Sequence, residues 1–414
     1  MVIIFLIITF AISCKEPFEY VNISSVIYGD YTYSVINSEA CITEYNGNET
    51  VLEIPSKLGD FEVTEIGDKA FRKNDSFTSI TFPTSLKSIG REAFAKCDGI
   101  TSLVIPDSVE TISNRAFSEC NNLSSVKLSD SVENIGSQAF YNCIGLTSLD
   151  IGNSVSSIGY EAFYGCSELN KVIIGNSVKV IEYKMFDSCK KLNSLIIGNG
   201  VETIGKGAFN CCFELKEITI PDSVKTIGSE AFSCCINLGT VIIGKSVETI
   251  GSSAFSGCVN GVTEGIGLNS IIIPNSVTSI GEKAFLNCGL LSSVIIGNSV
   301  ETIENSTFVN CPLSSISIPD SVESIGEMAF MNCQDLSLVI IGNSVETIGG
   351  KAFECCSNLN RLTIETVIPP VLGNDVFSGT STSDFKIYVP SESVETYKNA
   401  DGWKDYKDNI IAIE

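Results

Sequence analysis

Cysteine is the residue with the most chemistry available to this chain, which holds 17 cysteines and no histidine. Without histidine there is no Ser-His-Asp or Cys-His catalysis, no imidazole metal ligand and no histidine pH switch. No CxxC pair is present, so a zinc site lacks its usual ligand spacing. Twelve cysteines recur at intervals of 22, 23 or 30 residues: Cys97, Cys120, Cys143, Cys166, Cys189, Cys212, Cys235, Cys258, Cys288, Cys311, Cys333 and Cys356. This regular series predicts a ladder of small, buried, unreactive thiols.

Five cysteines stand outside that series, and two of them, Cys211 and Cys234, share a position in the repeat. Cys211 and Cys234 each follow a phenylalanine by two residues, where other repeats carry Lys, Glu, Asn or Gly. We therefore expect both thiols to be exposed. Since they occupy equivalent positions in successive repeats, we also expect their Cα atoms to lie within the roughly 4.4–6.8 Å window of a disulfide. The sequence leaves open whether they are bonded.

No other group of residues forms a catalytic or metal site. The glycine-rich segment 261–267 lacks the GK[ST] of a phosphate-binding loop. Glutamates recur with the repeat, at Glu110, Glu133, Glu202, Glu248, Glu301, Glu323 and Glu346, with Lys179 and Lys225 interrupting the row. Isolated monodentate glutamates do not build a Ca²⁺ cage, so the row is interpreted as a solvated face. We predict no catalytic residue, no metal and no cofactor, and expect that the chain is not an enzyme.

The charge balance narrows the class of partner. The chain carries 26 basic and 49 acidic residues, a net charge of −23. This excess argues against nucleic acid and against anionic membrane surfaces, because both recruit basic patches. With 44% apolar residues, the chain can form a large core and is not expected to be disordered.

The N-terminus predicts export. The apolar run from Met1 to Ile12 is shorter than the roughly 20 residues of a membrane span, and it suits the apolar region of a signal peptide at residues 1–13, although no Lys or Arg precedes it. The sequence Ala11-Ile-Ser-Cys14 resembles a bacterial lipobox, which implies lipidation of Cys14. An ordinary signal peptide, cleaved near Ser13, is the alternative.

A regular internal repeat of phenylalanine residues indicates the fold of the chain. Nine phenylalanines from Phe71 to Phe255 are each separated by 23 residues, and five more follow at gaps of 30, 23, 22, 23 and 24 residues. These fourteen positions predict about fourteen repeat units of 23 residues. One unit buries too little apolar surface alone, so its stability must come from stacking on its neighbours.

Each part of the unit predicts a local structure. The alternating residues around Val126 predict a short strand, followed by a turn of Gly, Pro, Asn or Asp residues. Val132 and Ile135 are expected to face inward, and Gly136 to bend the chain. We expect Ala139 and Phe140 to lie on about one turn of helix. Cys143 would then share the side of Phe140, and Leu146 would close the coil.

These residues resemble the leucine-rich repeat, in particular the BspA-like class of bacterial surface proteins with its pattern LxxIxxxAFxxCxxLxxVxI. The resemblance covers roughly residues 61–376. It implies an α/β solenoid, wound right-handed, with a parallel β-sheet on its concave face. Residues 14–60 are interpreted as a β-rich N-terminal cap. Residues 377–414 are interpreted as a C-terminal cap, in which a strand at 385–390 precedes a helix capped by Ser391, and Trp403 packs on the last repeat.

One surface row of the predicted sheet is unusually apolar. Equivalent residues of successive coils stack about 4.8 Å apart, and the outward position of the strand reads Val104, Lys127, Asp150, Ile173, Ile196, Thr219, Ile242, Ile272, Ile295, Ser317 and Ile340. Exposed apolar patches often mark interaction sites, although repeat duplication could also copy isoleucine without selection for binding. The seven-residue insertion before Phe285 is expected to project as a loop, and its Gly261, Glu264, Gly265 and Gly267 are further candidates for partner contact.

The resemblance implies a non-catalytic cell-surface protein that binds extracellular or host-matrix proteins, or other cells. We expect an exported chain, either lipid-anchored at the cell surface or outer membrane, or secreted. A passive structural spacer and a periplasmic scaffold remain the alternatives.

Overall fold

A computed structural model describes residues 22–259, 267–380 and 384–413. The predicted signal peptide, Cys14, Gly261, Glu264 and Gly265 lie outside the described residues. The chain divides into two compact units, Met1–Ser194 and Leu195–Glu414. Each unit is built from coils that follow the repeat of the sequence.

The first unit begins with six strands: β1 (Ile23–Tyr28), β2 (Tyr31–Ile36), β3 (Glu39–Tyr45), β4 (Val51–Glu53), β5 (Lys57–Leu58) and β6 (Phe61–Ile66). Two strands per coil follow: β7 (Ser79–Thr81), β8 (Ser88–Ile89), β9 (Ser102–Val104), β10 (Thr111–Ile112), β11 (Ser125–Lys127), β12 (Asn134–Ile135), β13 (Ser148–Asp150), β14 (Ser157–Ile158), β15 (Lys171–Ile173) and β16 (Val180–Ile181). Strands β1, β2 and β3 pair antiparallel, and parallel pairing then runs β3-β6-β8-β10-β12-β14. A second parallel sheet has the order β9-β11-β13-β15.

The second unit repeats this arrangement after β17 (Ser194–Ile196). Its strands are β18 (Thr203–Ile204), β19 (Glu217–Thr219), β20 (Thr226–Ile227), β21 (Thr240–Ile242), β22 (Thr249–Ile250), β23 (Ser270–Ile272), β24 (Ser279–Ile280), β25 (Ser293–Ile295), β26 (Thr302–Ile303), β27 (Ser315–Ile318), β28 (Ser324–Ile325), β29 (Leu338–Ile341), β30 (Thr347–Ile348), β31 (Arg361–Ile364), β32 (Val371–Leu372), β33 (Lys386–Val389) and β34 (Ile410–Ala412). The two-residue strands form one parallel sheet from β18 to β32. The longer strands form the groups β19-β21, β23-β25 and β27-β29-β31-β33-β34.

Phenylalanine side chains fill the interior of both units. In the first unit, rings from Phe71 to Phe186 stack with centroids 4.8–5.4 Å apart. In the second, rings from Phe209 to Phe377 stack at 5.2–5.8 Å. The predicted inward positions Val132, Ile135 and Leu146 are buried. The repeat therefore predicted the interior correctly.

The helical turn predicted around Phe140 is wrong. Gln138 and Asn142, two residues before and after Phe140, have positive φ angles of 58° and 53°, and an α-helix requires negative φ throughout. With this backbone, the Phe140 N–H donates to the Ala162 carbonyl of the next coil at 2.8 Å. The coils thus contain strands and hydrogen-bonded turns in place of a helix.

The sequence suggested that Gly136 bends the chain, but the structure shows a different reason for glycine at this position. A methyl group on this residue would lie 2.4 Å from the backbone nitrogen of Asn114 in the preceding coil. Glycine therefore allows successive coils to approach each other at this point.

The twelve periodic cysteines are buried, as predicted. Their thiols also bond to the backbone: Cys143 Sγ donates to the Phe117 carbonyl of the preceding coil at 3.1 Å, and Cys235 Sγ donates to Phe209 at 3.3 Å. Burial raises the pKa of both Cys143 and Cys235. A small side chain that can pack and still satisfy a carbonyl explains why cysteine suits this position.

The C-terminal segment contains the predicted strand, β33, and helix, α1 (Val394–Asn399). The N-cap assignment of Ser391 is wrong, because Ser391 lies in a 3₁₀ turn (Ser391–Ser393) and its hydroxyl donates to Glu392 at 3.2 Å. A second 3₁₀ turn, Trp403–Tyr406, carries the buried Trp403. The indole lies 6.2 Å from the Phe377 ring and its Nε1–H donates to the Pro370 carbonyl at 2.7 Å, so Trp403 packs on the last repeat as predicted.

Candidate interaction surface

The longer strands of the second unit position the predicted isoleucines. In β21, β23 and β25 the middle residue is buried and both its neighbours are exposed. The pairing aligns Thr219 with Ile242 and Ile272 with Ile295, so the outward residues of paired strands lie in one row. Successive side chains alternate between the two faces of a strand, which leaves these isoleucines on the solvent side.

The exposure of this row is uneven along the chain. Ile196, Ile242, Ile272 and Ile295 retain 54%, 56%, 64% and 58% of their surface. Ile173, in the first unit, and Ile340, in the second, are half-buried. Ile196 is separated from the others by Thr219, whereas Ile242, Ile272 and Ile295 are exposed in three successive coils, and we call these three residues the isoleucine row of the second unit.

A cleft of about 410 Å³ opens beside this row. Ile242 and Ile272 line it together with Gly239, Asn269 and Pro274. Gly239 occupies the position where other coils carry side chains such as Thr147 or Ser292. The absent side chain at Gly239 contributes to the depression between the two isoleucines.

The sheet is interrupted at the same place. Strand β21 ends the pair β19-β21, and strand β23 begins the pair β23-β25, with no ladder joining β21 to β23 in the described part of the chain. The seven-residue insertion lies between these two strands, since Leu268 takes the buried position that Leu146 holds in a regular coil. The cleft is thus located where the repeat is irregular.

The described base of the insertion borders the cleft. Val259 and Gly267 form an antiparallel bridge, and the Leu268 N–H donates to the Cys258 carbonyl at 3.2 Å. A methyl group on Gly239 would lie 3.6 Å from the Gly267 carbonyl oxygen. The structure therefore brings Ile242 and Ile272 together at one cleft, and Gly239 in its lining lies next to Gly267 at the base of the insertion.

The glutamate row lies at the start of the two-residue strands. Glu301, Glu323 and Glu346 are exposed in successive coils, and the backbone N–H of Glu323 donates to the Glu301 carbonyl at 2.9 Å. All seven glutamates of the row are exposed, as expected for a solvated face. No cluster of three or more metal-ligating side chains occurs in the described ranges 22–259, 267–380 and 384–413.

Two exposed features of the described residues were not predicted from the sequence. The first feature is the cleft at Gly239, for which the sequence does contain a signal: a glycine interrupts a row of hydroxyl, amide and lysine side chains. The second feature is Cys355, which follows Phe353 by two residues as Cys234 follows Phe232 and is also exposed.

Among the described residues, no helix has the length and apolar character needed to cross a membrane.

The parallel coils, the stacked phenylalanines and the regular spacing define a leucine-rich repeat protein. A family model described as "BspA type Leucine rich repeat region (6 copies)" matches residues 44–169, 133–262 and 263–393. The chain belongs to this BspA-type leucine-rich repeat family.

Solved structures with the same repeat are similar to this chain. A leucine-rich repeat protein from Bacteroides ovatus ATCC 8483 is 26% identical, with 96% of this chain and 100% of that one covered and a TM-score of 0.72. A leucine rich cell surface protein from Faecalibacterium prausnitzii A2-165 is 29% identical over 82% of this chain and 94% of that one, with a TM-score of 0.49. The T. pallidum leucine rich repeat protein is 30% identical over 46% of this chain and 91% of that one, with a TM-score of 0.44. A search of curated proteins gave no match.

Proposed function

We propose that this chain is a non-catalytic, exported binding protein that adheres to protein partners through the isoleucine row of the second unit. The observation that carries the proposal is the cleft between the exposed Ile242 and Ile272, whose lining includes Gly239 beside the base of the insertion. A concave, rigid anchor site with apolar walls suits a large apolar side chain of a partner, the kind of contact that dominates protein interfaces.

The proposed partners are extracellular proteins, such as those of a host matrix or of another cell surface. Membership of a leucine-rich repeat family supports protein binding as the general role. A right-handed solenoid with this sheet on its concave face, capped by residues 14–60 and 377–414, would present the cleft to a partner. A passive spacer would need neither the exposed isoleucines nor the cleft.

A binding experiment separates these roles. Purified full-length protein is applied to an array of immobilised extracellular matrix proteins, together with an Ile242→Ser/Ile272→Ser/Ile295→Ser variant and a Gly239→Thr variant. Threonine is the residue at this position in the coil of Thr147, so Gly239→Thr places a side chain at the cleft without introducing a residue foreign to the coil. We expect both variants to lose binding that Val104→Ser, a control in the first unit, retains. Binding by none of the four proteins would favour the spacer, and equal binding by all four would place the interaction on another surface.

The proposed anchor is a lipidated Cys14 at the new N-terminus after removal of residues 1–13. Two or more acyl chains would hold the protein stably at a membrane, whereas a single chain binds only marginally. Detergent-phase partitioning of the expressed protein, compared with Cys14→Ser, tests the anchor. Loss of partitioning in the variant supports it, and aqueous partitioning of both proteins indicates a secreted chain.

A further inference from the structure

Three cysteines of the second unit share a position that sets them apart from the buried thiols. Cys211, Cys234 and Cys355 each follow a stacked phenylalanine by two residues, and all three have left-handed backbones with φ of 57–59°. Cys211 is half-buried, whereas Cys234 and Cys355 are exposed. This position, two residues after the phenylalanine, is called the outer-turn position below.

Side chains at the outer-turn position contact their counterparts in the next coil. Asn310 Nδ2 donates to Asn287 Oδ1 at 2.6 Å, and Asn332 donates to Asn310 at 2.5 Å. The same position in the first unit holds the ion pair of Lys96 with Glu119, at 3.1 Å. The fold therefore aligns equivalent outer-turn side chains of adjacent coils and brings them within bonding distance.

Cys211 and Cys234 are adjacent members of this row. The Cys211 N–H donates to the Ser233 carbonyl of the next coil at 2.9 Å, and the rings of Phe209 and Phe232 stack at 5.4 Å with an interplanar angle of 10°. The two coils are thus in register on both sides of the thiols. The Ser233 hydroxyl also donates to Cys234 Sγ at 3.8 Å.

Cys355 provides an internal contrast. Its neighbours in the row are Asn332 in the preceding coil and Gly379 in the following coil, so no second thiol stands beside it. The interior thiols are excluded from surface chemistry by burial, which also raises their pKa, as at Cys235 and Cys258.

We propose that Cys211 and Cys234 form a surface dithiol that a small-molecule disulfide converts to an intrachain disulfide, whereas Cys355 stops at a mixed disulfide. The Cys234 thiolate attacks one sulfur of the external disulfide, whose S–S bond breaks and releases the first small thiol. The Cys211 thiolate then attacks Cys234 Sγ, and the second small thiol leaves. The two protein thiols lose two electrons and two protons, and the external disulfide gains them as two small thiols.

The test treats reduced, folded protein with oxidised glutathione and measures its intact mass. The full-length chain carries Cys14→Ser, so that Cys14 adds no adduct. We expect a product that has lost two hydrogens and carries one glutathione, which peptide mapping places on Cys355. Cys355→Ser should then show only the loss of two hydrogens.

The matched variant is Cys234→Ser, since Ser188 occupies the outer-turn position of its own coil with a φ of 64°. This variant should carry two glutathione adducts, on Cys211 and Cys355, because Cys211 has lost its resolving partner. The proposal is overturned if the Cys14→Ser protein carries separate adducts on Cys211 and Cys234, if neither of these cysteines reacts, or if they form covalent dimers.

Discussion

The two units carry different side chains on the same type of strand. In the first unit the outward row reads Val104, Lys127, Asp150 and the half-buried Ile173, and β11 pairs in register with β9, aligning Lys127 with Val104. In the second unit the corresponding row presents Ile272 and Ile295, which are also aligned. Lys127 pairs with Val104 and Asp150 pairs with Ile173, so charged residues can occupy this position and the strand geometry does not require isoleucine.

The interiors of the two units, in contrast, are nearly identical. Stacked phenylalanines and buried thiols recur in both, with the same hydrogen bond from Cys Sγ to a phenylalanine carbonyl. Packing therefore constrains the interior row, while the outward row is free to differ. The proposed binding role of the isoleucine row depends on this freedom of the outward row to differ.

Alkaline pH should cause the largest loss in the free energy of unfolding, and this loss should occur in both units. Burial raises the pKa of Cys97 in the first unit and of Cys356 in the second to about 12, from an ordinary value of 9.0. The folded state therefore binds protons that the unfolded state loses above pH 9. Stability is fully present below about pH 9 and falls as the pH rises toward 12, by about 1.4 kcal/mol per pH unit for each buried thiol.

Chemical denaturation followed by circular dichroism between pH 7 and pH 11 measures this loss. Cys143→Ala should reduce the slope, because one titrating thiol is removed. Stability that stays constant to pH 11 would show that the thiols are not buried as described.

Truncation of a stacked phenylalanine should lower the free energy of unfolding equally in the two units. Phe140→Ala and Phe209→Ala each remove a buried ring from a stack, with an expected loss of about 3–5 kcal/mol in the free energy of unfolding. Ile144→Ala, at a side chain that is 44% exposed, is the control and should change stability by about 0.5 kcal/mol or less. A loss below about 1 kcal/mol at either phenylalanine would contradict the shared interior.

Replacing isoleucines of the outward row with charged residues should change the free energy of unfolding only slightly. Ile242→Lys and Ile272→Asp give the second unit the residue types that the first unit carries at Lys127 and Asp150. Because both sites face solvent, we expect each change in the free energy of unfolding to stay within about 0.5 kcal/mol, measured by urea denaturation. A loss above about 2 kcal/mol would show that the isoleucines pack in the fold, and the contrast between the units would then have a structural cause.

Deleting residues 261–267 should have the smallest effect on stability. The deletion restores the regular spacing between Cys258 and Leu268, so the thermal transition should be nearly unchanged. Deleting the seven residues 231–237 instead removes Phe232 and Cys235 and should abolish cooperative unfolding of the second unit. A large loss from the first deletion would place the insertion in the core.

The sequence predicted the interior and the longer strands because their residue types repeat with little variation. It could not predict the left-handed backbone on both sides of each phenylalanine. Those positions carry residues such as Gln138, Asn142 and Cys234, and their types give no glycine signal for positive φ. The two-residue strands were missed for a related reason, since Asn134–Ile135 is too short to show an alternating pattern.

The candidate surface was predictable only in part. Exposed isoleucines follow from the strand alternation, and the insertion follows from the spacing of Phe255 and Phe285. Their meeting at Gly239 depends on three-dimensional contacts between neighbouring coils. Neither the half-buried state of Ile173 and Ile340 nor the interruption between β21 and β23 is visible in the repeat pattern.

Binding of the Gly239→Thr variant to the matrix-protein array tests the central claim most directly, because this single change narrows the cleft and leaves the isoleucines in place. With stability matched to the native protein, we predict at least a tenfold loss of affinity, about 1.4 kcal/mol, for a ligand that the Val104→Ser control still binds. Undiminished binding by Gly239→Thr would contradict a role for the cleft in partner recognition.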